Sequence, residues 1–245
     1  MEKKIELSKI LIVTRYFFPT NSADSVSVYN MCKNFLLISP ETEIHIITTI
    51  GKYKIENQLL KLESNVIDRL KIHKIRSIPL VKNEFINFLF GLVEALRLLL
   101  YANKLRCDKL IFLTSPPLIA IFFNFFMSKK NLYYWAFDIY PDAFIADGLL
   151  KPNNLLYKSL KFMAYKKAPK NIIALGEAQF KYLSKKFNSN TIKKIILPCG
   201  IHDNSEYSCI PKWYTNEEII IGYIGNIGRA HNVEFLMNFM SVINN

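Results

Sequence analysis

The chain has 245 residues, 51% of them hydrophobic, which supports a packed core and excludes global disorder; its length allows one large α/β domain, or one and a fraction. With 32 Lys and Arg against 20 Asp and Glu the formal net charge is +12, which suggests either a polyanionic partner or a lysine-rich solvated surface. The lysines are dispersed and no zinc spacing or RNA-binding motif occurs, which argues against nucleic acid.

In chain order, apolar β-branched runs alternate with helical patterns. The sequence predicts a strand over Lys9–Thr14, a helix over Ser25–Ile38, and strands over Glu43–Thr49 and Leu70–Arg76. A helix follows over Asn83–Lys104, a strand over Lys109–Thr114, a helix over Pro117–Met127 and a strand over Asn131–Phe137. Next come a helix over Asn153–Lys167, a strand over Asn171–Leu175, a helix over Glu177–Lys186 and a strand over Lys193–Leu197. Runs such as Ile10-Leu-Ile-Val and Leu110-Ile-Phe-Leu are continuously hydrophobic, as in strands covered on both faces. Strand–helix alternation with such strands predicts a doubly wound parallel sheet over residues 1–200, with ligands beyond the carboxyl ends of the strands. Residues 201–217 lack a period and read as a linker. Residues 218–245 open a second α/β unit: the run Ile219–Ile221, the turn Gly222-Tyr-Ile-Gly225-Asn226-Ile-Gly228-Arg229, then an amphipathic stretch from Ala230 to Met240. That unit is too short to complete a dinucleotide site, and the second domain is expected to be incomplete.

The four cysteines, Cys32, Cys107, Cys199 and Cys209, have no metal-type pairing and fit a reducing compartment. The charged start Met1-Glu-Lys-Lys-Ile-Glu does not read as a secretory leader, so a cytoplasmic location is expected. The segment from Phe85 to Tyr101 is apolar nearly all round, but Asn87, Glu94 and Arg97 interrupt it. It reads as a buried crossover helix, while phenylalanines flanked by lysines also fit contact with an anionic membrane surface.

Four loops can carry chemistry. After the first strand, Pro19, Asn21, Ser22, Asp24 and Ser25 stand where a helix begins; they serve equally as caps or as a ligand-facing loop. After Thr114, Ser115 precedes two prolines that pre-set a helix start. Asp138 directly follows a hydrophobic strand, where its carboxylate can orient a hydroxyl or accept its proton. Asp142, after Pro141, reads instead as a helix cap. Gly225, Asn226, Gly228 and Arg229 are placed to present N–H groups and a cation to a phosphate; His231 lies beside them.

On the residues Arg15-Tyr-Phe-Phe-Pro19, Thr114-Ser-Pro-Pro117, Asp138-Ile-Tyr-Pro-Asp142 with Gly148, and Gly222–Arg229, the chain resembles retaining glycosyltransferases of GT-B architecture, family 4, of the capsule, O-antigen and colanic-acid type. The resemblance implies an N-terminal Rossmann-like acceptor domain followed by the start of a donor-binding domain. It implies transfer from a nucleotide-sugar, UDP-sugar first, to a polyprenyl-linked sugar at the inner face of the cytoplasmic membrane. Asp138 would then be catalytic on the acceptor side. Gly225, Asn226, Gly228 and Arg229 would hold the donor diphosphate, and Pro19, Asn21, Ser22 and Ser115 would line the cleft. Neither a metal nor a cofactor is expected. The chain departs from the family in lacking paired glycines in the first loop, in His231 standing near the position of a phosphate-clamping lysine, and in having no counterpart of the acidic motif that grips the donor ribose. A non-catalytic α/β binding or assembly module in a polysaccharide-synthesis complex is the alternative. A nicotinamide-dependent epimerase would need a glycine-rich loop after the first strand, which is absent.

Overall fold

The computed structural model describes residues 8–18, 20, 22–50, 63–79, 81–127, 131–199 and 233–243. Among the described residues seven strands form one parallel sheet: β1 (Lys9–Val13), β2 (Glu43–Ile50), β3 (Leu70–Arg76), β4 (Lys109–Leu113), β5 (Asn131–Ala136), β6 (Asn171–Ala174) and β7 (Lys193–Ile196). Their order is β3-β2-β1-β4-β5-β6-β7, so the winding reverses between β1 and β4. In register, Ile12 lies beside Ile46 of β2 and Ile111 of β4. The helices are α1 (Ala23–Ile38), α2 (Ser64–Ile67), α3 (Glu84–Lys104), α4 (Ile119–Phe126), α5 (Asp142–Ala146), α6 (Leu155–Tyr165), α7 (Glu177–Phe187) and α8 (Val233–Ile243). This is the doubly wound, Rossmann-like α/β architecture that the alternating pattern predicts.

Period two along each strand sorts side chains to two cores. Leu11, Val13, Leu110, Phe112, Leu132 and Tyr134 pack with Ala95, Leu98 and Ala102 of α3, Phe123 of α4 and Leu183 of α7. Ile10, Ile12, Ile44, Ile46 and Trp135 pack on the other side with Val28, Tyr29 and Cys32 of α1. On this second side, Met31, Phe35 and Ile38 of α1 face Tyr133, Trp135 and Ile195 across an open groove of about 410 Å³.

The helix starts follow local chemistry. Ser22 accepts from the Ser25 N–H at 3.2 Å, and Asn83 and Asn154 cap α3 and α6 in the same way. α4 begins at Ile119 rather than at the prolines, because Leu118 adopts φ 63°, outside the helical region. The short helix α2 adds to the predicted set, and α5 is the short helix expected after Pro141, with Pro141 rather than Asp142 at its cap position. α3 is not the buried helix its composition predicts, since only 33% of Phe85–Lys104 is buried. The linker over 201–217 and the Gly222–Arg229 turn lie outside the described residues, whereas α8 overlaps the predicted amphipathic stretch and runs three residues past Met240.

β3 and β7 are the edges of the sheet and expose Lys71, Lys74 and Arg76 on one rim and Lys193 and Lys194 on the other. Near the first rim, His45 Nδ1 and His73 Nε2 lie 2.8 Å apart, and His45 Nε2 meets Glu43 at 2.8 Å. Burial, then His45, Lys9 and Lys71, hold the His73 ring below the usual imidazole value of 6.5. A depressed histidine contributes stability that is complete above the unfolded value and is lost as pH falls through the folded one. Chemical denaturation from pH 8 to pH 5 should therefore show wild-type stability declining below about pH 6.5. His73→Asn should flatten that decline, and an unchanged slope would remove His73 as its source.

Candidate active site

The reversal between β1 and β4 opens a crevice outside their carboxyl ends, and the loops leaving β1, β4, β5 and β6 are laced together there. The Arg15 N–H donates to the Ser115 carbonyl at 3.1 Å, and the Arg15 carbonyl accepts from the Thr49 N–H at 3.2 Å and the Thr49 hydroxyl at 2.9 Å. The hydroxyl of buried Thr114 accepts from the Asp138 N–H at 3.2 Å. Gln179 of α7 donates to the Phe137 carbonyl at 3.3 Å and accepts from the Leu175 N–H at 2.7 Å. These bonds fix the backbone at Asp138 from the β4 side through Thr114 and from the β6 side through Gln179, which is the positioning an acid–base group needs.

Asp138 leaves the end of β5 with its side chain exposed. Burial of the carboxyl by the protein beneath it, then Asp147, raises its pKa above the ordinary 3.8. Asp24, in the first turn of α1, is pushed up to about 6, by burial and then by the charge of Asp138. Burial, then Asp138, Asp147, Tyr16 and Asp24, raises the Tyr140 phenol, which stays protonated and able to donate. Asp24, Asp138, Asp147, Tyr16 and Tyr140 thus share one electrostatic neighbourhood. Carboxyls of raised basicity near a phenol can orient or deprotonate a hydroxyl.

The structure brings Asp138 and Ser115 to this edge as the sequence predicts, Ser115 through its carbonyl. Ser22 caps α1, its hydroxyl oxygen accepting from the Ser25 N–H. Pro19, Asn21, Gly225, Asn226, Gly228 and Arg229 lie outside the described residues. The sequence reads Asp24 as one of several caps; the structure gives the cap to Ser22 and sets Asp24 within electrostatic reach of Asp138. Sequence reasoning missed the pairing of Arg15 Nε with Glu94 Oε2 at 2.8 Å, where Glu94 is 2% exposed. Burial raises the Glu94 carboxyl against the opposing pull of Arg15. Arg15, Phe85, Phe88, Pro117, Phe144 and Leu156 line an apolar pocket of about 450 Å³ beside the edge.

Asp142 has a different role. It accepts from Tyr157 (2.6 Å), Tyr165 (2.8 Å) and Tyr182 (2.9 Å) and pairs with Lys186 (3.0 Å), tying α5 to α6 and α7. Gly148 follows at φ 71°, a left-handed turn that favours glycine. Among the described residues, no group of three His, Cys, Asp or Glu converges to hold a metal.

No family model matches the chain, and no curated protein matches it in sequence. Among solved structures, it is similar to the N-terminal domain of a trehalose-6-phosphate phosphatase from Candida albicans, at TM-score 0.53 and 14% identity over 82% of this chain and 50% of that one. Lower scores relate it to the glycotransferase of kitacinnamycin (0.48, 8% identity, 82% and 54% covered) and to a ugt transferase from Siraitia grosvenorii in complex with UDP (0.46, 8% identity, 79% and 51% covered). The chain spans about half the length of each of these three.

Proposed function

We propose that this chain is the acceptor-side half of a retaining GT-B glycosyltransferase of family 4 type. In this reading it moves sugar from a nucleotide-sugar, UDP-sugar first, to a lipid-linked sugar in cell-surface polysaccharide synthesis, at the cytoplasmic face of the membrane. The observation that carries the proposal is Asp138 after β5 and Asp24 in the first turn of α1, both at the carboxyl edge of a Rossmann-like sheet, where a hydroxyl acceptor can be oriented and relieved of its proton. Residues 201–217 link this half to a donor-binding unit opened by residues 218–245. Backbone N–H groups of Gly225, Asn226 and Gly228 and the Arg229 cation stabilise the departing diphosphate there. Pro19, Asn21, Ser22 and Ser115 belong to the loops that frame the cleft.

The division between halves has a direct test. Calorimetric titration of the chain should show binding of a polyprenyl-diphosphate-linked sugar and little binding of UDP-sugars. Transfer should appear once a donor-binding half is joined. Saturable turnover of a UDP-sugar by this chain alone would refute the division, and no transfer with the donor half joined would refute the transferase reading. The second reading, a non-catalytic binding or assembly module, draws on the open groove over Tyr133, Trp135 and Ile195. It predicts a stable protein complex and no sugar transfer under any of these conditions.

A further inference from the structure

α3 presents an apolar surface on both sides. Its inner side packs Ala95, Leu98, Leu99 and Ala102 into the core. Its outer side carries Phe85, Leu89, Val93, Leu96 and Leu100, spaced by three and four residues, with Phe85 60% and Leu100 55% exposed. A water-facing helix side is ordinarily polar, and an all-round apolar helix needs a cover. The stripe runs along 21 residues, about 30 Å.

The surface continues beyond α3. Phe85 and Phe88 meet Leu149, Leu150 and Leu156 around the 450 Å³ pocket, so the amino ends of α3 and α6 share one apolar mouth. On α6, Leu155 is 79% and Phe162 65% exposed. Exposed Lys151, Lys158, Lys161 and Lys166 intersperse these residues. Lys166 stands 5.3 Å from the Phe162 ring. From Gly148 to Lys170 the chain has six lysines and no acidic residue.

We propose that the outer side of α3, the pocket mouth and α6 together lie on an anionic phospholipid bilayer, with the apolar side chains in the acyl boundary and the lysines among the headgroups. The charge pattern selects this occupant: lysines on an acid-free segment are complementary to a negatively charged surface. The shape agrees, because the stripe is the ridge of a helix rather than a groove that would receive a helix or strand. Arg15 and Pro117, from the loops that leave β1 and β4, line the same pocket, so it opens at the carboxyl edge of the sheet that also carries Asp138. A lipid-linked acceptor then delivers its sugar to Asp138 while its chain stays in the pocket and the membrane. The inference deepens the lipid-acceptor reading, and its test measures no sugar transfer, so the two fail separately.

The full chain is sedimented with vesicles of phosphatidylcholine alone or with roughly one-third phosphatidylglycerol. It should bind the anionic vesicles and be released as salt rises. The triple variant Leu89→Glu/Val93→Glu/Leu100→Glu should lose at least about tenfold in binding while its circular dichroism is unchanged, since all three side chains are exposed. Lys158→Gln/Lys161→Gln should cost about fivefold per lysine and weaken the salt response. Failure of the wild type to bind anionic vesicles, or equal binding by the glutamate variant, overturns the proposal. So does wild-type self-association that the glutamate variant abolishes, because a second copy would then cover the stripe.

Discussion

Asp142→Ala should lower stability by about 3 kcal/mol, the sum expected when several half-buried donors lose one charged acceptor and water recovers part of the loss. In wild type the carboxylate collects three phenol hydroxyls and the Lys186 ammonium, from α6 and α7. No other single side chain described here ties those two helices to α5 through so many donors. Calorimetry should show a midpoint lower by roughly 8 °C for a domain of this size. Asp142→Asn, which keeps an acceptor oxygen but loses the charge, should fall between. The pH dependence gives a second reading. Burial pushes the carboxyl up, but the bonds from Tyr157, Lys186, Tyr165 and Tyr182 outweigh it and hold it below 3.8. A depressed carboxyl contributes stability that is complete above its unfolded value and is lost as pH falls through the folded one. The gap between wild type and Asp142→Ala should therefore be full at pH 5 and close below about pH 3.8. A gap that persists there would assign the loss to packing instead.

Asp138→Asn should lower sugar transfer to a lipid-linked acceptor by about 10²–10⁴-fold, the range for a positioned acid–base group. The assay uses the chain joined to a donor-binding half. Asparagine keeps the size and the Thr114 bond, because that bond is made by the backbone N–H. Folding should be untouched, and the loss should fall on kcat rather than on acceptor KM. The electrostatic neighbourhood supplies a control. Burial, then Asp147, raises Asp138, so Asp147→Asn removes a negative neighbour and should move the acid limb of the rate profile to lower pH. A purely structural Asp138 would leave that limb in place. Rates within about twofold of wild type in Asp138→Asn would take the residue out of the chemistry, since acid–base catalysis is worth far more.

The parts of this fold legible from sequence were those governed by continuous burial. The β1 and β4 runs are apolar throughout because helices cover both faces, and their predicted limits differ from the observed ones by one residue. Asp138 was legible because a carboxylate immediately after such a run must emerge at the carboxyl edge. Asp24 was not, because its role depends on Ser22 taking the cap and on a loop more than a hundred residues further along the chain. The pairing of Arg15 with Glu94 was hidden for the same reason: both ends look like ordinary surface charges until the crossover brings them together. α5 was legible only as a short helix at Asp142, because five residues carry too little periodicity to fix its limits. The outer side of α3 misled, since composition reports how apolar a helix is but not how much of it the rest of the chain covers.

The cationic margins of the sheet bear on how copies of this protein meet. An open parallel sheet ends in two rows of unsatisfied peptide groups, each a template for lateral growth. Lys74 and Arg76 at one margin and Lys193 at the other place like charges opposite each other whenever two such rows approach. Among the described residues the two margins are therefore mutually repulsive, and lateral association should rise in molar salt, where screening shortens to about 3 Å.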